Sequence, residues 1–256
     1  MFNLVKYELK GYYKDFIIIL GVLILGNLFL FTKINEWQPQ AVFAFSAMLT
    51  FAATIVVFIW NIRIFSRDMY EDTGYLLFTL PQKGYSILGA KLITTVIQAL
   101  VVDLVAMSFN FIHASKMGNF NEIFTNLQGN VSMGFIVFIS LGVLFEYLYF
   151  VLTIYFSISL SKVAIKNKKM GKIGGFLIFI AISVVQGKVM QLLTNIFPNT
   201  FNINVFTAQG QLNLYGVMGD SASSWPINIA ATIFIIILFL AMYWAISYII
   251  ENKLDF

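Results

Sequence analysis

The chain contains no cysteine and only one histidine, His113, among its 256 residues. Disulfide bonds and thiolate chemistry are therefore excluded, and the grouped Cys and His ligands that bind zinc in proteins are absent. Charged residues are also scarce, at 11% of the chain. We expect no metal, no cofactor and no catalytic residues in this chain.

Hydrophobic residues are abundant instead. They make up 59% of the sequence, with 27 phenylalanines, and the mean hydropathy is +0.84. This composition lies far outside the soluble globular range and predicts an integral membrane protein. The apolar runs are continuous and do not alternate with polar residues, which favours helices over the strands of a β-barrel.

Six stretches are long enough to cross the bilayer, since a spanning helix takes about 20 apolar residues. They are residues 16–31, 41–62, 92–112, 133–160, 173–193 and 227–250. The predicted fold is therefore an all-α membrane protein with six transmembrane helices in a single domain, residues 1–256.

Lysine and arginine are distributed asymmetrically between alternate connections. One set of connections holds most of them, and the other set holds only Lys33, Lys116 and Lys188. Because positive residues stay on the cytoplasmic side, we expect both termini and residues 63–91 in the cytoplasm, and His113 as an interfacial polar residue near the outer surface. The net charge of +4 needs no nucleic-acid partner. The lysines between 162 and 172 orient the chain, with contact to anionic lipid as the alternative.

Residues 1–15 show a helical pattern of their own. Apolar residues recur on one face and lysines on another: Phe2, Val5, Leu9, Tyr12 and Phe16 against Lys6, Lys10 and Lys14. The pattern predicts an amphipathic elbow helix lying in the cytoplasmic membrane interface. The alternative is an ordinary basic flank of the first span.

Three spans carry a polar face that lipid should not contact. The residues are Ser46, Thr50, Thr54 and Asn61 in the second span; Thr95, Gln98, Asp103 and Asn110 in the third; and Gly142, Glu146, Tyr149, Thr153 and Ser157 in the fourth. Small and hydroxyl residues are typical of helix packing in membranes. Helix packing and a substrate path are the two interpretations.

Two carboxylates, Asp103 and Glu146, lie about midway along their spans. A charged carboxylate at the bilayer centre costs about 3 kcal/mol unless it is paired, neutralised or hydrated. Lys188 is the one basic candidate within the membrane, so a cluster of the three residues is one solution. Protonated carboxyls facing a cavity, a substrate path and proton coupling are the others.

The outer segment, residues 195–226, contains no lysine or arginine and is too polar to span the membrane. We expect short helices or a re-entrant piece that caps the outer side, with Trp225 in the aromatic belt.

The connection at residues 63–91 is the one long charged segment between apolar runs. Its part from Gly84 to Lys91 begins like a phosphate-binding loop, but Ala90 precedes Lys91 and Leu92 stands where Ser or Thr would bind magnesium. We therefore expect no nucleotide site in this chain.

The same connection contains the run EDTGYLLFTLP, Glu71 to Pro81, followed by GAK at residues 89–91. With the six spans, the elbow, the outer cap and the terminal ENKLDF, this pattern resembles the permease subunit of type-two ABC exporters. It looks like the small Gram-positive permeases that export peptides or give immunity to bacteriocins and other antimicrobial peptides.

The resemblance implies a cytoplasmic coupling helix between spans two and three that docks on a separate ATPase. The residues carried over to this role are Arg67, Asp68, Met69, Glu71, Asp72, Tyr75 and Leu76. It also implies two permeases with two ATPases in a bacterial cell membrane, with ATP and magnesium bound by the partner. The expected cargo is an amphipathic or hydrophobic peptide such as a phenol-soluble modulin; removal of lantibiotics or bacitracin-like agents is the alternative.

Two other classes remain open. A secondary transporter coupled to ions or protons would use Asp103 and Glu146, although the six spans show no internal repeat of the kind common in such carriers. The residues proposed for such a path or polar cluster are Asp103, Glu146, Lys188, Thr50, Thr54 and Thr153. An intramembrane enzyme is the other alternative.

Overall fold

A computed structural model describes residues 2–71, 82–117, 125, 131–164, 168–205 and 224–252. Within these residues lie six long helices: α1 (Phe2–Thr32), α2 (Pro39–Tyr70), α3 (Gly84–Ala114), α4 (Met133–Ala164), α5 (Lys168–Ile196) and α6 (Ile229–Asn252). Each contains a stretch that is long and apolar enough to cross a membrane. The prediction of a helical, multi-pass membrane protein with six candidate spans is confirmed.

The helices extend well beyond the predicted spans. At 1.5 Å per residue, α1 is about 46 Å long, whereas the hydrocarbon core is about 30 Å thick. The helix runs from Phe2 through the predicted elbow without a break. The interfacial placement of residues 1–15 stays a prediction.

The charged connection is shorter than the sequence indicated. Residues 63–70 continue α2, and α3 already begins at Gly84. Polar side chains do not end a helix, because its backbone groups stay paired within the helix once it leaves the apolar layer. Between these two helices only Glu71, Gln82 and Lys83 are described, and residues 72–81 lie outside the described part of the chain, so a coupling helix there stays a prediction.

The two described ends of the outer segment are strands, whereas short helices or a re-entrant piece were expected; for residues 206–223 that expectation stays a prediction. The strands are antiparallel and comprise β1 (Thr200–Asn204) and β2 (Ser224–Asn228). The sequence TFNIN alternates apolar and polar residues with the period of a strand. Phe201 pairs with Ile227 and Ile203 with Trp225 across the ladder. Ile227, predicted as the first residue of the sixth span, is therefore in a strand. Residues 206–223 lie outside the described part.

The chain divides into two compact units. The first contains α1, α2 up to Asp68 and α3 from Ser86 onward. Its apolar core is formed by Leu23, Ala53, Val57, Val102 and Ala106. These residues come from all three helices, so the core joins α1, α2 and α3 at mid-length.

The second unit contains α4, α5, α6 and residues Met69–Tyr85. Phe145 and Phe239 pack α4 against α6, with ring centroids 5.4 Å apart. At the beginning of α6 the Asn228 side chain caps the helix, because its Oδ1 accepts the backbone N–H of Ala231 at 2.9 Å. Its Nδ2 donates to the carbonyl of Phe197 at 2.7 Å, which ties α6 to the end of α5.

Gly84 at the beginning of α3 touches the backbone of α6. A Cβ atom at this position would lie 2.3 Å from the carbonyl oxygen of Ser247. We expect Gly84→Ala to destabilise the chain by about 1–3 kcal/mol, because a backbone atom must move to remove the overlap. Thermal unfolding of the purified protein in detergent measures the effect.

Gly21→Ala in α1 is the matched control, since no atom lies within 4 Å of its added Cβ. Equal unfolding temperatures of the two variants would contradict the close approach at Gly84.

Candidate functional site

A buried cluster of charges joins α1, α2 and α3. The Lys91 Nζ atom lies 2.6 Å from Glu8 Oε1 and 2.5 Å from Asp68 Oδ2, and the lysine side chain is only 4% exposed. Each of the three residues comes from a different helix. We call Glu8, Arg67, Asp68 and Lys91 the Lys91 cluster.

Arg67 completes the cluster from the next position of α2. Its guanidinium donates to the Tyr12 hydroxyl, lies 5.2 Å from the centre of the Tyr12 ring and is 3.9 Å from Asp68 Oδ1. Two carboxylates therefore face two cations, and the cluster is neutral as a whole. Because unpaired buried charges are strongly unfavourable, this balance is what permits its burial.

A second set of contacts lies at the end of α2, at Tyr70, which follows the cluster residues Arg67 and Asp68 and then Met69 in sequence. The Tyr70 hydroxyl donates to the carbonyls of Gly171 (3.0 Å) and Ile158 (3.2 Å) in the second unit. A Cβ atom on Gly171 would overlap the Tyr70 ring at 2.7 Å, so glycine permits this approach. Glu71 Oε1 lies 3.8 Å from Lys172 Nζ, with both side chains about half exposed.

The residues predicted to dock on an ATPase therefore have different surroundings. Asp68 is buried against Lys91, and Met69 has no accessible surface, so both pack within the chain. Glu71 and part of Arg67 remain accessible. The other three, Asp72, Tyr75 and Leu76, lie outside the described residues.

The polar faces of the second and third spans meet each other. The Ser46 hydroxyl lies 2.6 Å from Asn27 Oδ1 and 2.8 Å from Asn110 Oδ1, and Asn110 Nδ2 donates to the Thr50 hydroxyl at 3.1 Å. A second contact joins the same two helices, because the Thr95 hydroxyl of α3 donates to Asn61 Oδ1 of α2 at 3.1 Å. At these positions the faces serve helix packing, which is one of the two predicted roles.

The intramembrane charges do not share one environment. Asp103 is half-buried and hydrogen-bonds with Thr54 in the first unit. Glu146 and Lys188 belong to the second unit, where both are exposed and form no ion pair with each other. Thr153 donates to the Tyr149 carbonyl of its own helix at 2.9 Å. Pairing of Glu146 with Lys188 within the chain, one part of the predicted cluster, is absent from the described structure.

His113, expected as an interfacial polar residue, lies near the end of α3. It has no accessible surface and its ring lies 6.4 Å from that of Phe31. Neither ring nitrogen has a hydrogen-bond partner among the residues that the structure describes. Packing against Phe31 of α1 covers this ring, and its position at the membrane interface stays a prediction.

Comparison with known proteins gives no match. Neither a family model, nor a curated protein, nor a solved structure is significantly similar to this chain. The function must therefore be argued from the residues themselves.

Glu8, Asn27 and Tyr70 are site residues that the sequence patterns did not single out. Glu8 lies one turn from Val5 and Tyr12, and so on the apolar face of α1. An acidic residue on an apolar helix face indicates a cationic partner in another helix. The position of Glu8 therefore indicated such a partner, but it did not identify Lys91.

Removing the Lys91 ammonium tests the balance of the cluster. We expect Lys91→Met to lower the free energy of unfolding by about 3–5 kcal/mol, because two buried carboxylates lose their partner. Thermal unfolding in detergent measures the loss. The triple variant Glu8→Gln, Asp68→Asn, Lys91→Met should recover most of it, since the one charge that remains, on Arg67, is partly exposed to solvent.

Lys172→Met is the matched control. The Lys172–Glu71 pair is exposed, so its loss should change stability by less than about 1 kcal/mol. Similar losses in the two single variants would show that Lys91 is not a buried charge partner.

Proposed function

We propose that this chain is the membrane-spanning subunit of an ATP-driven exporter for amphipathic or hydrophobic peptides. A separate ATPase, which binds ATP and magnesium, supplies the energy. The observation that carries the proposal is the Lys91 cluster, which connects α1 to both helices that flank residues 72–81. Those residues form the centre of the segment that resembles an ABC coupling helix.

A coupling segment must pass its movement to the spans. On the α2 side it follows Asp68, bound to Lys91, and Tyr70, bound to Gly171 and Ile158. On the α3 side it precedes Tyr85, whose carbonyl accepts the Tyr243 hydroxyl at 2.7 Å. Both ends of the segment are thus anchored by polar contacts to long helices. Displacement of residues 72–81 by a partner would therefore be transmitted to these helices.

Glu8 connects α1 to the same moving helices. Its ion pair with Lys91 joins the amino-terminal part of α1 to the beginning of α3. Lys6, Lys10 and Lys14 on α1 are exposed, in accord with an amphipathic elbow in the cytoplasmic interface. The proposed elbow therefore moves together with the coupling segment.

The surface available for docking begins at Glu71. Its carboxylate is about half exposed at the end of α2, directly before residues 72–81. Exposed charges at such a rim set partner choice and register, and Tyr75 and Leu76 are the proposed apolar anchors. Met69 and Asp68, which are buried and precede Glu71, would hold the end of α2 in place next to this surface.

The working unit in this proposal is two permeases and two ATPases in a bacterial cell membrane, with both permease termini in the cytoplasm. Toxin peptides of the phenol-soluble modulin kind are the proposed cargo, and removal of antimicrobial peptides is the related alternative. The scarcity of charge within the spans suits a cargo that is itself largely apolar.

Reversal of the Glu71 charge tests the docking surface. A tagged chain purified gently from its native membrane should carry an ATPase, and Glu71→Lys should reduce its recovery about tenfold because a rim charge then repels its partner. Mass spectrometry and ATP hydrolysis of the eluate measure recovery. Insertion and stability of the permease should not change.

Glu36→Lys is the control. Glu36 is also exposed and paired with a lysine, but it lies in the turn between α1 and α2, at the opposite end of these helices from Glu71. Equal loss of the ATPase in both variants would contradict a docking surface at Glu71. Transport driven by a pH gradient in liposomes that contain only the purified chain, and abolished by Asp103→Asn, would favour a proton-coupled carrier instead.

A further inference from the structure

Two opposite charges lie exposed within the apolar helices of the second unit. Glu146 is on α4 and Lys188 on α5, and neither forms an ion pair with a described residue. Lipid tails offer no partner for either charge, so an exposed charge within a span requires a compensating group. The structure contains both signs but does not join them within one chain.

The two charges lie at the same depth. Helices α4 and α5 are antiparallel neighbours, as contacts between Ser161 and Gly171 and between Phe150 and Phe179 show. Glu146 is about 27 Å along the helix axis from Ala164, and Lys188 is about 30 Å from Lys168. Since α4 ends and α5 begins on the same side, both side chains leave their helices at nearly equal heights.

The surface around these charges is open. No residue in the most apolar stretch of α5 is buried within the chain. Gly142 precedes Glu146 by one helical turn, and a Cβ atom there would meet nothing within 4 Å. A glycine that no neighbour in its own unit requires allows another helix to approach closely.

We propose that a second copy of this chain covers this surface, with Glu146 of each copy paired to Lys188 of the other. In a two-fold interface a contact between two different positions occurs twice, once in each direction. One glutamate and one lysine at equal depth therefore satisfy all four charges of a dimer. A partner without this complementary pair would leave charges facing lipid.

This contact sharpens the two-permease arrangement of the proposed function. It needs neither ATP nor an ATPase. The dimer contact can therefore be contradicted by experiment without contradicting ATPase docking, and the reverse.

Disulfide cross-linking is direct because the chain has no cysteine. Two differently tagged copies are co-expressed, one with Glu146→Cys and the other with Lys188→Cys, and oxidised in the membrane. The dimer retains one intact Glu146–Lys188 pair by symmetry. We expect a covalent dimer that carries both tags.

The control places the cysteines at Leu141 and Ser183. These positions are exposed on the same helices but point about 140° away from Glu146 and Lys188, at 100° per residue. Cross-linking of the proposed pair no greater than the control would overturn the proposal. So would a disulfide that forms only when both cysteines are in one chain.

Charge exchange provides a second measurement. Glu146→Lys and Lys188→Glu should each weaken dimerisation in lipid vesicles about tenfold, because like charges then meet. The double variant should restore wild-type dimerisation, measured by single-molecule photobleaching. Single variants that dimerise normally, or a double variant no better than either single, would contradict the pairing.

Discussion

Burial of one ammonium group determines how α1, α2 and α3 meet. Lys91 is almost inaccessible and is held between Glu8 and Asp68. Because an unpaired buried charge is strongly unfavourable, the three helices must keep their ends together for any of the three groups to be stable. The apolar contacts of the core at mid-length are non-directional, whereas the ion pairs join specific atoms of the three helices.

Polar contacts have a larger share in specifying this structure than in a soluble protein. Lipid tails are as apolar as the leucine and phenylalanine side chains, so apolar burial alone does not select helix partners within the bilayer. Asn27, Ser46 and Asn110 form a link across α1, α2 and α3, and Tyr70 links α2 to α4 and α5. These few contacts choose among apolar surfaces that are otherwise alike.

The predictions that succeeded depend on local properties. Six continuous apolar runs specify six spans because each helix satisfies its own backbone groups. The ends of the helices were less predictable: α2 continues to Tyr70 and α3 begins at Gly84, since polar residues are compatible with a helix outside the apolar layer. The pairing of Phe201 with Ile227 joins residues that are 26 positions apart in the sequence, which no local pattern reveals.

Composition and periodicity by themselves determined that the chain is a mainly helical membrane protein with six candidate spans and that spans two and three have polar faces. The tertiary structure alone decided which charges are neutralised. Glu8 and Lys91 are far apart in sequence and meet, Glu146 and Lys188 lie at one depth and do not, and His113 is buried at the end of α3. The physical reason is that a charge or a polar ring is stabilised by groups within a few ångströms, and those neighbours come from other helices.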